Sequence, residues 1–201
     1  MANRCCGSCS QRRLTKRQMA EQRPNNNGRT KLIVLGGLPG VGKTEIAREL
    51  AHQLGAVYLR IDSIEQGLLN SGLVSRIDDS GYCVAYATAE ENLRGGQTVV
   101  ADCVNPLTIT RDAWLNVADR TGVRAIEIEV QCSDPKEHRR RVESRRSDIP
   151  GFILPTWEQV ISREYHAWTR EHIVLETANR TPEQNVGILR EFLEGRGLST
   201  A

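Results

Sequence analysis

The chain has 201 residues, of which 39% are hydrophobic and 26% charged, as is typical of one soluble globular domain with a substantial core. No apolar run approaches the ~20 residues that a membrane-spanning helix needs. The net charge is +2, but residues 1–31 carry eight basic residues and one acidic residue, so the rest of the chain sums to −5. This mildly acidic body gives no argument for a nucleic-acid groove.

The two ends of the chain differ in composition from its middle. Residues 1–30 are polar and basic, and they predict a disordered arm that is either solvated or a contact for nucleic acid or another partner. Residues 31–195 are predicted to form one domain, and residues 196–201 a flexible tail. The double arginine of the arm lacks the apolar run of an export signal, so we expect a cytoplasmic protein. The sequence leaves the oligomeric state open.

The six cysteines do not form a recognisable disulfide framework or metal site. Cys6 and Cys9 have the spacing of half a metal site, but no second pair of that kind follows. Cys103 and Cys132 lie at the ends of apolar runs, which favours small buried thiols.

A glycine-rich segment after the first apolar run matches the phosphate-binding pattern G-x-x-x-x-G-K-[ST] at every fixed position. Lys31–Leu35 before it predicts a buried parallel strand, and Glu45–Leu54 after it predicts an amphipathic helix. We therefore predict a nucleotide phosphate site formed by Gly37, Leu38, Pro39, Gly40, Val41, Gly42, Lys43 and Thr44.

The residue types in this segment explain how it would bind ATP. The glycines let backbone N–H groups turn inward around phosphate oxygens, and the positive end of the helix dipole adds to this field. Lys43 can reach the β- and γ-phosphates, and the Thr44 hydroxyl can bind Mg²⁺. ATP and Mg²⁺ are therefore the expected cofactors.

Strands and helices alternate along the rest of the chain. This order predicts an α/β domain with a mostly parallel sheet and a ligand site beyond the carboxyl ends of the strands. Alternating acids in 123–130 predict a less covered face near a sheet edge. The further strands are predicted at 56–61, 97–101, 123–130 and 172–176, and the further helices at 62–65, 82–94, 108–121, 135–146, 157–170 and 182–194. Asp134 is predicted to cap the helix that begins at Pro135, and Thr156 and Thr181 are predicted to open capping boxes.

Two aspartates follow predicted strands and are candidate site residues. Asp62 can accept the proton of an attacking hydroxyl group, although its spacing to Glu65 also fits a helix-capping box. Asp102 suits a Mg²⁺ contact or a substrate contact, although it can also form a turn before Asn105-Pro106. Both alternatives remain open from the sequence.

A run of arginines follows the fourth strand. Arg141 and Arg145 are four residues apart on the predicted helix and would share a face, where they can close over a transferring phosphate. The alternative is a solvated basic surface paired with neighbouring acids. His138 in the same run is predicted to lie at the surface.

With these residues placed, residues 31–194 resemble the P-loop kinases of small molecules and nucleic-acid ends. That group includes chloramphenicol phosphotransferase, gluconate and adenylylsulfate kinases, zeta-type toxins and the phage polynucleotide kinase domain. The chain is most similar to bacterial kinases with an AAA-type label. The resemblance implies a P-loop NTPase fold, a three-layer sandwich with a five-stranded sheet and a helical lid.

The resemblance also implies roles for single residues. Asp62 matches the base or substrate anchor, Arg141 and Arg145 match the lid arginines, and 178–181 matches the segment that passes the adenine. Polynucleotide kinases carry an arginine where this chain has Glu65, which weakens the reading as a nucleic-acid-end kinase.

The sequence thus predicts an ATP-dependent kinase that phosphorylates a hydroxyl group of a small molecule. The alternatives are a polynucleotide or RNA-end kinase, favoured by the basic arm, and a nucleotide-binding regulatory protein without an acceptor. The acceptor cannot be named, because the segments expected to recognise it, 63–82 and 105–112, have no pattern.

Overall fold

The computed structural model describes residues 30–72 and 74–195. The predicted arm up to residue 29, the predicted tail 196–201 and the Cys6/Cys9 pair lie outside these ranges. Thr30, assigned to the arm from the sequence, is buried and donates a hydrogen bond to the Gly96 carbonyl at 3.0 Å. The described part of the chain has no helix long and apolar enough to cross a membrane.

Strands and helices alternate in the predicted order. The strands are β1 (Lys31–Gly36), β2 (Val57–Arg60), β3 (Val99–Asp102), β4 (Arg124–Gln131) and β5 (Ile173–Glu176). The helices are α1 (Lys43–Leu54), α2 (Ile61–Asn70), α3 (Ser80–Arg94), α4 (Thr108–Thr121), α5 (Pro135–Ser144), α6 (Trp157–Ile161) and α7 (Pro182–Leu193).

The described strands form one five-stranded sheet in the order β2-β3-β1-β4-β5. All four pairings are parallel, so the carboxyl ends of all five strands lie at one edge of the sheet. The central strand β1 leads directly into the phosphate loop, and β3, which ends in Asp102, pairs beside it.

Helices cover both faces of the sheet, which confirms the three-layer α/β fold. On one face, β1 side chains Ile33 and Leu35 pack with Leu50 of α1 and Leu189 of α7. The opposite face buries Leu32, Val34, Ala89, Trp114 and Val117, contributed by β1, α3 and α4. Both core layers consist mainly of buried aliphatic side chains, and Trp114 adds an aromatic ring to the second, which stabilises the sheet edge that carries the site.

The acidic face of β4 is covered by an irregular segment instead of a helix. Glu127 accepts two hydrogen bonds from Arg170, at 2.6 and 2.8 Å, and Glu129 lies 3.3 Å from His172. β4 lies next to the edge strand β5, as its alternation predicted. The predicted helix 157–170 is wrong beyond Ile161. Residues 162–172 are not helical, and Arg170 and His172 of this segment pair with the buried acids of β4.

Candidate active site

The phosphate loop connects β1 to α1 as predicted. The N-cap of α1 is Gly42, at φ 97°, and no side chain caps the helix. The first N–H groups of α1 are therefore available to an anion. Gly37 lies so close to β4 that a Cβ atom there would sit 2.3 Å from the Val130 carbonyl oxygen, which excludes a side chain at this position.

Lys43 lies at the start of α1 and is buried. Its Nζ donates a hydrogen bond to the Leu38 carbonyl at 2.9 Å, so the side chain folds back over the loop. Burial lowers the pKa of Lys43, while the nearby Asp102 and Asp62 carboxylates raise it. A phosphate group would offer this ammonium a stronger, charged acceptor than a carbonyl.

Thr44 and Asp102 meet below the loop. The Thr44 hydroxyl donates to Asp102 Oδ2 at 2.8 Å, and the Tyr58 hydroxyl donates to the same oxygen at 2.9 Å. Asp102 is buried at the end of β3, in line with its predicted place beside the loop. Tyr58 was not predicted as a site residue, because within β2 it looked like an ordinary strand aromatic.

The side chains of Thr44 and Asp102 offer oxygen atoms, the ligands that Mg²⁺ prefers. Within residues 30–72 and 74–195, no group of three or more His, Cys, Asp or Glu side chains could hold a metal ion without help. Thr44 and Asp102 would therefore hold Mg²⁺ together with nucleotide phosphates and water, the usual arrangement for this ion.

Asp62 lies in the first turn of α2 and does not cap it. The N-cap is Arg60, and no side chain accepts a capping hydrogen bond there, so the capping-box interpretation of Asp62 and Glu65 is wrong. The nearest ion-pair partner of Asp62 is Arg60, at 4.0 Å. Burial raises the pKa of Asp62, and the Asp102 carboxylate raises it further. A raised pKa means a higher proton affinity than that of an ordinary aspartate, which suits a proton acceptor.

Arg141 and Arg145 do not share a helix face. Helix α5 ends at Ser144, and Arg145 has extended backbone angles of φ −68° and ψ 152°. Arg141 donates hydrogen bonds to Glu137 at 2.6 Å and to Thr177 Oγ1 at 3.0 Å. The two guanidinium groups therefore reach the cleft from different backbone positions.

Arg145 is the less satisfied of the two arginines. Its Nε and Nη2 atoms are buried and have no hydrogen-bond partner among the described residues. Burial lowers the pKa of Arg145, and the Asp62 carboxylate raises it, which places the two charges near one another. A phosphoryl group would supply the missing acceptors.

The prediction that His138 lies at the surface is wrong. The side chain is buried, and its Nε2 donates to the Pro39 carbonyl at 2.9 Å. Its ring packs edge-on to Trp157 with 5.1 Å between the ring centroids. Burial lowers the pKa of His138, which favours the neutral ring. His138 thus fastens α5 and α6 to the phosphate loop, a contact that no sequence pattern indicated.

Asp148 links the loop that follows α5 to the sheet. Its carboxylate accepts hydrogen bonds from Arg48 at 2.6 Å and Arg60 at 2.8 Å. These two arginines lower the pKa of Asp148 to about 2. Asp148 thereby ties this loop to α1 and β2, and loop residues 145–148 and 152–155 line the cleft.

These elements enclose a cleft of about 1190 Å³. Its wall includes most of the predicted site residues, namely Pro39, Gly40, Gly42, Lys43, Thr44, Asp62, Asp102, Arg141 and Arg145. Gly37, Leu38 and Val41 shape the loop from outside this wall, since Val41 is buried in the core and Leu38 packs against it.

A protein-family profile described as an AAA domain matches residues 32–152. The chain belongs to this AAA domain family. A comparison with curated proteins finds no match.

Solved structures share the fold at low sequence identity. Kti12 of Chaetomium thermophilum, in complex with ADP-AlF3, is 19% identical with a TM-score of 0.61, covering 83% of this chain and 100% of its own. The APS kinase CysC of Mycobacterium tuberculosis, in complex with AMPPNP and APS, is 20% identical with a TM-score of 0.56, covering 82% and 98%. A gluconokinase from Sinorhizobium meliloti 1021 is 15% identical with a TM-score of 0.55, covering 84% and 98%. The chain therefore has the P-loop, kinase-like α/β fold.

Proposed function

We propose that the protein is an ATP-dependent kinase that transfers the γ-phosphoryl group to a hydroxyl group of a small molecule. The observation that carries this proposal is the convergence of Asp62, Lys43 and Arg145 in one cleft. The pKa of Lys43 responds to both other charges, so the three side chains share one electrostatic environment. Proton acceptor, phosphate anchor and charge neutraliser are the parts that phosphoryl transfer to an alcohol needs.

The phosphate loop carries out the first step, which is nucleotide binding. The N–H groups at the start of α1 hold the phosphates, and Lys43 exchanges the Leu38 carbonyl for β- and γ-phosphate oxygens. Thr44 and Asp102 would hold Mg²⁺, which when bound would supply positive charge to those oxygens. The adenine base of the nucleotide extends toward segment 178–181. Arg180, in that segment, and Pro182 and Asn185, just after it, line the same cleft.

The transfer step uses Asp62 and Arg145. Asp62 takes the proton of the acceptor hydroxyl, whose oxygen bonds to the γ-phosphorus as the bond to the bridging oxygen of ADP breaks. Arg145 neutralises charge on the transferring group, because its buried guanidinium nitrogens have no other acceptor among the described residues. The proximity of Asp62 and Arg145 lets both act on one group.

A metabolite-library screen for ATP consumption, followed by mass spectrometry of the products, tests this function. We expect at least one alcohol to accelerate ADP formation and to gain the mass of one phosphoryl group. Lys43→Ala is the matched control. It should abolish that product, because it removes the phosphate anchor, without unfolding the chain, because the hydrogen bond lost is one to the Leu38 carbonyl of the loop. Slow hydrolysis that no compound accelerates would instead support a regulatory nucleotide-binding protein.

A polynucleotide end is the second candidate acceptor. The observation that favours it is the charge of residues 1–31, with eight basic residues against one acidic residue. RNA and DNA oligonucleotides with free 5′-hydroxyl groups therefore belong in the same screen. A labelled oligonucleotide product formed faster than any small-molecule product would favour this candidate.

A further inference from the structure

Helix α2 presents a second carboxylate to the cleft beside Asp62. Glu65 is three residues further along the helix, so the two side chains lie on one face, and both line the cleft. Burial, and then the charge of Asp62, raises the pKa of Glu65. The proposed mechanism gives Glu65 no role.

The fold makes specific room for Glu65. Gly81 is the second residue of α3, and a Cβ atom there would lie 2.3 Å from Glu65 Cγ and 2.8 Å from Oε1. Any larger residue at position 81 would displace the Glu65 side chain. The carboxylate is thus held in one place by the packing of α2 against α3.

Glu65 has no partner for its charge within the described ranges. None of the hydrogen bonds or ion pairs there includes its side chain, and the exposed Arg163 is the cation whose charge lowers its pKa. A half-buried carboxylate without donors is costly, and a ligand that donates a hydrogen bond or carries a positive charge would offset that cost.

The other groups near Glu65 define the kind of molecule that fits. Tyr82 accepts a hydrogen bond from the Asn105 N–H at 2.9 Å, which leaves its own O–H as a donor at the cleft. The lining residues 152–155 of the same cleft are apolar. The cations Arg48 and Arg60 are already bound to Asp148. This part of the cleft therefore offers acid, hydroxyl and apolar surface, with the exposed Arg163 as a nearby cation.

We propose that Glu65 selects the phosphoryl acceptor by binding a hydrogen-bond donor on the molecule whose hydroxyl group Asp62 deprotonates. The acceptor class is alcohols that carry an ammonium group or a second hydroxyl group, and it excludes acceptors whose corresponding group is phosphate, sulfate or carboxylate. This inference rests on the proposed kinase function. Two neighbouring carboxylates would repel an anionic group at this position, whereas a donor group satisfies the unpaired charge.

The test compares three sets of alcohols in the ATP-consumption assay: amino alcohols and amino sugars, neutral polyols and sugars, and hydroxy acids with sugar phosphates. We expect product only from the first two sets. For the best acceptor, Glu65→Gln should raise KM by about 10-fold or more, because the variant loses a contact to the bound substrate. The value of kcat should change much less, because Asp62, Lys43 and Arg145 are unchanged. Glu191→Gln, an exposed position on α7, is the matched control and should change neither constant.

Two further variants keep the test independent of how well Glu65→Gln folds. Gly81→Ala retains the carboxylate but displaces it, and should raise KM in the same direction. Glu65→Arg should shift the ratio of kcat/KM values toward hydroxy acids. Melting curves and ATP titrations on the same samples show that each variant is folded.

Separate results would overturn the inference and the proposed function. A sugar phosphate or hydroxy acid as best acceptor, with a KM raised by Arg163→Gln, would overturn the inference and leave the kinase function intact. A KM for Glu65→Gln within twofold of wild type would do the same. If no alcohol in any set is phosphorylated by the wild-type protein, the proposed function fails and the inference fails with it.

Discussion

Glu65 shows how one half-buried charge links pH to stability. Burial, and then the nearby Asp62, raises its pKa to about 7 from an ordinary value of 4.5. The folded protein therefore binds more protons than the unfolded chain between these values, so stability falls as pH rises through this window. Below it the carboxyl group is neutral in both states and costs nothing.

The prediction concerns Glu65→Gln, which keeps the shape and removes the charge. The variant should gain stability over wild type at pH 8, on the order of 1–3 kcal/mol, and should differ little at pH 4. Urea denaturation of both proteins at the two pH values measures the difference. An equal difference at both pH values would show that ionisation of Glu65 does not oppose folding.

Helix α5 packs closely against the phosphate loop at Gly40. A Cβ atom there would lie 2.4 Å from Val142 Cγ2 of α5, and the backbone is at φ +89°. Gly55 also has a positive φ, +59°, but an added Cβ meets nothing within 4 Å. A comparison of alanine substitutions at the two glycines therefore separates the effect of backbone strain from the effect of α5 packing on the loop.

We expect Gly40→Ala to destabilise the protein by about 1–3 kcal/mol more than Gly55→Ala, because overpacking adds to the shared strain. Gly40→Ala should also weaken nucleotide binding, since α5 is fastened to the loop by His138. Thermal melting and nucleotide titration of the two variants provide the comparison. Equal losses would mean that α5 does not press on the loop.

Elements whose signals are local were predictable from the sequence. The phosphate loop lies between β1 and α1 as its pattern required, and Thr156 and Thr181 form the predicted capping boxes. Asp134 also caps α5 as predicted, accepting from the N–H groups of Lys136 and Glu137. In each case a short motif specifies the backbone by itself.

Features that depend on distant residues were missed. The predicted helix from Trp157 ends early because Arg170 and His172 are drawn to acids on β4, which no local pattern reveals. His138 is buried only because α5 packs on Pro39, 99 residues away in sequence. Asp62 and Glu65 have capping-box spacing, but α2 begins at Ile61, so Asp62 lies inside the helix and does not cap it.

At the scale of the whole molecule, we expect the basic N-terminal residues to take no part in folding or nucleotide binding. Deleting residues 1–29 should leave the melting temperature and nucleotide affinity nearly unchanged, because the segment has little apolar surface to bury. Thr30 is retained because it hydrogen-bonds to Gly96.

Calorimetry and nucleotide titration of the shortened and full chains check this prediction. A drop of many degrees would show that the segment packs on the domain. RNA binding that depends strongly on salt and disappears with the deletion would favour the polynucleotide acceptor.

The central claim is that Asp62 accepts the proton of an alcohol during phosphoryl transfer. The most direct measurement is kcat for transfer to the identified acceptor by Asp62→Asn, with melting and ATP titration on the same sample. Asn keeps the size of the side chain but cannot take the proton, so we predict near-normal stability and ATP affinity with transfer slower by at least about 10²-fold. Transfer within a few-fold of the wild-type rate would contradict the account and make Asp102 the carboxylate to test next.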